Sequence, residues 1–304
     1  MDIQKLYEAS IAHKNDRIAS IHYKLNKGLA NICYPLMGKC KTGVDEKSNI
    51  IISLASYPDR IDSVNLTIMT LLSQSVRPRA VMLCLAKEQF PSGEKDLPKK
   101  LTSLKADGLI IRFSEDLKPH KKYYYPMMEN PDCFIITVDD DVLYPENLVE
   151  LLMDTAVKYP DTVVCTWGHR ITLDENGNIS RAGEWKYLTG GIEPAYSVIP
   201  TGVGGVLYPP GILDIEVFNQ IAIRELCLNA DDLWLKVMAV KNHKKAVRVN
   251  KPAKLYFTIL KTQKSGLFYD NALKNKNDVA WDNIMKAYPE CEECLRQNLM
   301  VESK

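Results

Sequence analysis

Three consecutive carboxylates, Asp139, Asp140 and Asp141, close the apolar, β-branched run Phe134-Ile135-Ile136-Thr137-Val138. Neighbouring anions raise one another's pKa unless a cation neutralises them, so three ionised aspartates at the mouth of a strand ask for a divalent metal. Alternate residues of an extended chain share a side, which would let Asp139 and Asp141 approach one ion or an ion-bound ligand. Hard oxygen donors select Mg²⁺ or Mn²⁺. The competing account is a polar turn in which one aspartate caps the helix expected near Pro145. Capping explains one Asp, not three.

A second acidic pair stands in Ala230-Asp231-Asp232-Leu233-Trp234, where a helix is expected over 232–239. Asp is common in a first helical turn, so capping competes here with proton transfer by a carboxylate. Ser56-Tyr57-Pro58-Asp59-Arg60 follows an apolar run and reads either as a ligand-holding loop or as a plain turn. The glycine-rich stretch Thr201-Gly202-Val203-Gly204-Gly205 lacks both the GxxxxGK[ST] and the GxGxxG phosphate patterns. Its value is close main-chain approach, with a ligand-free turn as the alternative. Asp174-Glu175-Asn176-Gly177-Asn178 misses the spacing of a calcium loop and reads as a hairpin turn. Cys291 and Cys294 form the one CxxC, without a second pair or a His to complete a zinc site, and are expected as a surface pair on a helix. His243, in a Lys-Asn-His-Lys-Lys setting, is expected at the surface.

The positioning elements follow from periodicity. Apolar runs predict strands over residues 50–55, 80–85, 109–113, 134–138 and 162–166, and helices over 63–73, 121–129 and 146–158 lie between them. Such alternation implies an α/β domain, a mostly parallel sheet with helices on both faces, whose ligands bind beyond the carboxyl ends of the strands. Residues 1–48 read as an N-terminal helical extension ending in a linker. Its basic, amphipathic pattern suits packing on the main domain, which is favoured, or docking on a membrane surface or partner. The expected division is 1–48, a catalytic domain over 49–260 with halves 49–145 and 146–260, and a C-terminal lid and helical tail over 261–304.

The chain has 304 residues, 39 basic against 38 acidic and a formal net charge of +1, enough for a sizeable core and without the basic field of a nucleic-acid binder. Scattered cysteines and the absence of a signal-like start place it in a reducing cytosol, with the inner membrane face as a further location for a docked extension.

In the order and spacing of Ser53 to Arg60, Asp139-Asp140-Asp141 and Ala230 to Trp234, over roughly residues 49–245, the chain resembles glycosyltransferases of the GT-A, Rossmann-like fold. The nearest in flavour are bacterial family-2-type enzymes of capsule and surface-polysaccharide synthesis. The resemblance implies a metal-dependent, inverting transfer of a sugar from a nucleotide donor, UDP-linked by expectation, to a glycan or lipid-linked glycan. It implies Asp141 as direct metal ligand, Asp139 on the metal, ribose or donor sugar, and Asp140 through the metal's water shell. Asp232 would be the leading base, and Asp231, the other member of the catalytic pair, would cap the helix or hydrogen-bond the acceptor. Tyr57 would stack on the base, with Ser56, Asp59 and Arg60 beside it. Lys121 or Lys122 would approach uracil or phosphates, where the family has an Arg-Asn pair. Gly204 and Gly205 would lie between donor and acceptor, and Lys264 would close with a lid on the diphosphate. Trp167, His169 and Trp185, with Glu184, are acceptor-side candidates, each also a plausible core residue. The alternatives are a nucleotidyltransferase making activated sugars, which would carry a Gly- and Arg/Lys-rich loop after its first strand, and a non-catalytic carbohydrate-binding protein on the same fold.

Overall fold

A computed structural model describes residues 2–11, 16–37, 42–251, 255–260, 262 and 276–302. Helices α1 (Ile3–Ile11) and α2 (Asp16–Met37) precede a first block of strands and helices: β1 (Ile50–Ala55), α3 (Val64–Leu71), β2 (Ala80–Ala86), α4 (Lys99–Thr102), β3 (Leu109–Ser114), α5 (Lys121–Glu129) and β4 (Phe134–Val138). The second block runs β5 (Val142–Leu143), α6 (Leu148–Lys158), β6 (Thr162–Cys165), β7 (Gly168–Arg170), β8 (Lys186–Tyr187), β9 (Ile192–Ala195), β10 (Val198–Pro200) and β11 (Val206–Tyr208). Helices α7 (Gln220–Leu226) and α8 (Asp231–Lys241), strands β12 (Lys245–Arg248) and β13 (Phe257–Thr258), then α9 (Lys276–Ala287) and α10 (Pro289–Glu302) complete it.

Eight strands form the central sheet in the order β3-β2-β1-β4-β11-β6-β12-β9. All of its neighbours pair in parallel except around β11 and β9, so the expected α/β, mostly parallel sheet flanked by helices is present. Its inner strands read as continuous apolar runs because both faces are covered. Along β1, Ile50, Ile52 and Leu54 enter one core while Ile51 enters another with Met82 and Ile135, the period of two expected of a pleated strand. The core on the first face takes α1, α2, α3 and α6; that on the second takes α5, α8, α9 and α10, centred on the fully buried Trp234.

Strand β11 is the departure that matters most. After β6 the chain leaves to build a three-stranded antiparallel sheet, β10-β7-β8, then returns as β11 between β4 and β6. Because β11 runs antiparallel to β4, with Val206 opposite Thr137, its entry turn, residues 201–205, meets the carboxyl end of β4. Reversal of one central strand thus brings the glycine turn to the aspartate triplet. The sheet draws strands from both expected halves, β1 to β4 from the first and β6, β9, β11 and β12 from the second.

Helices α1 and α2 pack where the linker reading favoured. Tyr7 meets Phe257 and Tyr256 edge-on, and the Tyr23 hydroxyl donates to the Tyr256 carbonyl at 3.1 Å. β13 in turn pairs with β5, directly after the triplet. Residues 174–178 form the expected hairpin turn, with Gly177 at φ +80° and Leu173 bridged to Ile179. His243 is exposed and left-handed, φ +57°, where it ends α8. The cysteine pair corrects the expectation of a surface site: both lie on α10, but Cys291 is buried against the second core and burial pushes its thiol up to about 12.

Candidate active site

Strand β4 stops at Val138, so the triplet lies on a turn rather than on an extended chain, and strand alternation does not govern it. Asp140 and Asp141 instead share one partner. Arg60, on the short 3₁₀ turn Pro58–Arg60 after β1, donates to Asp140 Oδ1 at 2.5 Å and lies 3.3 Å from Asp141 Oδ2. Ser56 Oγ donates to the other Asp140 oxygen at 2.6 Å, and Thr67 Oγ1 to its carbonyl at 3.0 Å. Thr262 Oγ1 reaches Asp141 Oδ2 at 3.4 Å, and the Thr262 carbonyl accepts from Arg60 at 3.3 Å. Burial still pushes Asp141 up to about 6 against the pull of Arg60, with Asp139 and Asp140 adding to the rise. One guanidinium thus faces two carboxylates at this corner.

Lys122 holds the other acids. Its Nζ lies 3.0 Å from Asp139 Oδ1 and 3.0 Å from Asp231 Oδ2, with the side chain buried. Burial alone would lower the Lys122 pKa, but Asp139, Asp231 and Asp232 together hold it well above its ordinary value. Asp231 and Asp232 open α8, yet neither works as a simple cap. Asp232 accepts from the amide of Gly202, across the site, at 3.1 and 3.2 Å through its two oxygens. Burial and the charge of Asp231 push Asp232 up to about 8. Burial also works against ionised Asp231, but Lys122 and His120 outweigh it and keep that carboxyl below its usual range. Two adjacent aspartates are thus driven apart, one fixed as an anion and the other poised to exchange a proton near neutrality.

Gly202 is where this packing is tightest. A Cβ there would sit 2.7 Å from Lys122 Nζ and 3.2 Å from Asp139 Oδ1, so a larger residue would have to push the end of the lysine side chain out of the charged cluster. Gly202→Ala is expected to displace the Lys122 ammonium and weaken the Asp231 and Asp139 pairs. Thermal unfolding should show a loss of about 1–3 kcal/mol, the range for overpacking. A variant as stable as the parent would refute the close fit. Tyr144 locks the same turn, receiving the Asp139 amide at 3.0 Å and donating to the Val203 carbonyl at 3.1 Å.

The remaining candidates separate cleanly. Lys121 turns away from the acids to Asp116, 2.5 Å distant; although burial opposes ionisation, Lys118 and Lys121 bring that carboxyl down to about 2. The basic residue brought to the cluster is Lys122. Tyr57 lies beneath the Arg60 guanidinium, 5.5 Å from its ring centre, and Asp59 is exposed beside it. Gly204 and Gly205 lie at the start of β11, where a Cβ on Gly204 would strike Trp167 at 2.5 Å and Gly205 needs φ +92°. Trp167 and His169 meet the ring of Tyr187 at 5.5 and 4.4 Å, and His169 Nδ1 lies 3.3 Å from Thr201 Oγ1. Tyr187, exposed on β8, completes an aromatic ledge beside the glycine turn. Trp185 does not join it: it is buried against Trp281 at 5.0 Å and donates to the Ser180 carbonyl at 3.0 Å, the core position that was the alternative to its acceptor-side reading. Glu184 is exposed. Lys264 and the rest of the expected lid, residues 263–275, lie outside the described residues, whereas Thr262 contacts the triplet.

Among the described residues no group of three or more His, Cys, Asp or Glu side chains converges as a ready-made metal cage. The donor chemistry nevertheless fits a small hard cation. Mg²⁺-type ions are commonly held by one or two carboxylates, the remaining sites going to phosphates and water. The partly exposed Asp139 and the neighbouring Asp141 would supply such a pair. Sequence reasoning named Gly202 only within its glycine-rich turn and Thr262 only as the start of the expected lid, and it missed Tyr144, which carried no signal.

No protein-family model matches the chain, and no curated protein sequence matches it. Solved structures to which the chain is similar include a mannosyltransferase from Pyrobaculum calidifontis in complex with GDP-mannose and Mn²⁺, at 13% identity over 98% of this chain and 81% of that one, TM-score 0.44. A 4-diphosphocytidyl-2C-methyl-D-erythritol synthase is similar at 11% identity over 72% of this chain and 96% of its own, TM-score 0.41. A CMP:2-keto-3-deoxy-manno-octonic acid synthetase complexed with CTP is similar at 11% identity over 78% of this chain and 99% of its own, TM-score 0.37.

Proposed function

We propose that the protein is a glycosyltransferase that moves a sugar from a nucleotide donor to a hydroxyl of a glycan acceptor with inversion, using a divalent cation. The observation that carries the reading is the placement of Asp231 against Lys122, 3.0 Å away, and of Asp232 against the Gly202 amide, beside the aspartate triplet. An acceptor hydroxyl must shed its proton as it attacks, and a base works best with a pKa near the working pH. Asp232 meets that requirement, and the Gly202 amide fixes its orientation. The acceptor proton passes to an Asp232 oxygen while Asp231 stays ionised against Lys122. Asp139 and Asp141 would hold the cation; bound there, it supplies positive charge to the diphosphate leaving group. Arg60 keeps Asp140 and Asp141 in place, and Tyr57 and Asp59 stand on the side proposed for the nucleotide base and ribose. The ledge of Trp167, His169 and Tyr187 offers aromatic faces to an acceptor sugar.

Titration calorimetry with Mn²⁺ and UDP tests the donor half. UDP should bind more tightly with Mn²⁺ present, and Asp141→Ala should remove that linkage while leaving the weaker metal-free binding. Absence of any metal-linked UDP binding, repeated with GDP and CDP, would refute the metal assignment. Release of pyrophosphate from a nucleoside triphosphate and sugar phosphate, without sugar transfer, would favour a nucleotidyltransferase instead.

A further inference from the structure

Helix α8 opens without a side-chain cap. Its N-cap is Ala230, which carries no acceptor, while Asp231 and Asp232 are engaged by Lys122 and the Gly202 amide. The direction of that opening is set from outside the helix, through the turn 227–230 that leads into it. The Cys227 carbonyl closes this turn by accepting from the Ala230 amide at 2.8 Å. The same oxygen lies 2.9 Å from His120 Nε2.

His120 is completely buried, on the 3₁₀ turn Lys118–His120 that leads into α5. Its hydrogen bonds fix its tautomer. A carbonyl can only accept, so Nε2 carries the proton, and Nδ1 is left to accept from the Tyr123 hydroxyl at 2.9 Å. The Val217 carbonyl, 3.5 Å from that hydroxyl, has its own donor in Trp234 Nε1 at 3.1 Å. Burial lowers the His120 pKa to about 4 against the pull of Asp231, so the ring is neutral near pH 7 and adds no second cation beside Lys122. The start of α5 is thus tied to the start of α8 twice, by Lys122 on Asp231 and by His120 on Cys227.

We infer that His120 is a positioning residue for the acid pair: as a neutral imidazole it holds the 227–230 turn, and so sets where Asp231 meets Lys122 and where Asp232 meets the Gly202 amide. It acts through the Cys227 carbonyl and takes no proton from a substrate. Its effect on rate rests on the proposed transferase reading. Its effect on the ion pair of Lys122 and Asp231 does not.

Substitutions at this position separate positioning from the filling of space. Gln carries its amide nitrogen as far as Nε2 and can still donate to Cys227, Asn reaches only as far as Nδ1, and Phe fills the site without a donor. His120→Gln should keep most of the parent's turnover. His120→Phe and His120→Asn should lower kcat about 10²-fold, the scale set by a small misplacement of reacting groups, with KM and Mn²⁺-linked UDP affinity close to the parent. A double-mutant cycle on melting temperature needs no transfer at all. The destabilisation caused by Lys122→Met at neutral pH should be smaller in the His120→Asn background than in the parent, because a displaced Asp231 depends less on the ammonium, and His120→Gln should leave it unchanged. The comparison of Gln with Asn carries the test if His120→Phe does not fold. Parent-like turnover in His120→Asn, equal losses in the Gln and Asn variants, or a Lys122→Met effect undiminished by His120→Asn overturns the inference. Coupling in the cycle from a parent that transfers no sugar supports the positioning and refutes the transferase reading instead.

Discussion

Lys122→Met should be among the most damaging single substitutions in this protein, lowering stability at neutral pH by about 3–5 kcal/mol, the cost of leaving a buried charge without its partner. The ammonium sits between Asp139 and Asp231, each 3.0 Å away, and Asp231 has a side chain only 10% exposed. Methionine keeps the volume of the aliphatic stem and removes the charge, so the loss reports electrostatics rather than a cavity. The pH dependence gives the signature. The Asp231 pKa is depressed, so its contribution is present above its unfolded value of 3.8 and is lost as pH falls through the lower folded value. Lys122 has a raised pKa, so its contribution is fully present below its unfolded value of 10.5 and is lost only at higher pH. The gap between parent and variant should therefore be widest from about pH 5 to 9 and narrow below about pH 4. Thermal melts across that range decide the matter. A gap independent of pH would mean that Lys122 acts through packing alone.

The same lysine shows what a sequence can and cannot carry. Helix α5 and strand β4 lie over residues 121–129 and 134–138 as periodicity predicted, because their apolar pattern is local. Which of Lys121 and Lys122 meets the acids is a different matter. Adjacent helical residues point about 100° apart, and the choice depends on how α5 is rolled against the sheet, where Asp116 captures Lys121 and the triplet captures Lys122. Arg60 went unassigned as the partner of the triplet for a related reason. The crowding of Asp139, Asp140 and Asp141 was read as asking for a divalent metal, whereas the positive charge that the fold itself brings to Asp140 comes from a side chain eighty residues earlier in sequence. A cation bound from solution and a guanidinium brought by the fold answer the same electrostatic demand.

Strand β11 was illegible for a more basic reason. Val206-Leu207-Tyr208 is too short to announce itself, and its antiparallel place between β4 and β6 is fixed by contacts far along the chain. Everything that depended on that reversal was hidden with it: the approach of Gly202 to Lys122, the Gly202 amide on Asp232, and the Tyr144 bridge between the triplet and the turn. The packing of Trp185 was equally hidden. An aromatic among glycines and polar residues resembles a sugar platform, but its partner Trp281 comes from a helix nearly a hundred residues away and makes it core.

Asp232→Asn should separate the roles of the two aspartates most sharply. The substitution keeps the shape and one acceptor oxygen for the Gly202 amide but removes the capacity to take a proton. Transfer should fall by about 10²–10⁴-fold, the range for loss of a general base, while UDP affinity with Mn²⁺ changes little. The parent's kcat/KM should rise with pH through about 8, following ionisation of Asp232, and the residual activity of the variant should lose that rise. Stability should move the other way. A carboxyl raised from 3.8 to about 8 in the folded state favours folding most at low pH, and that advantage is progressively lost as pH climbs from about 4 to about 8. Asparagine carries no such dependence, so its melting temperature relative to the parent should rise across that interval and level off above it, reaching a few degrees in the variant's favour. A variant that is less active and more stable at alkaline pH is the expected mark of a catalytic group held at a cost to the fold. Equal losses of transfer and UDP binding would instead place Asp232 in the donor site, and unchanged transfer would return the proton to another acceptor and leave the pair as a structural opening to α8.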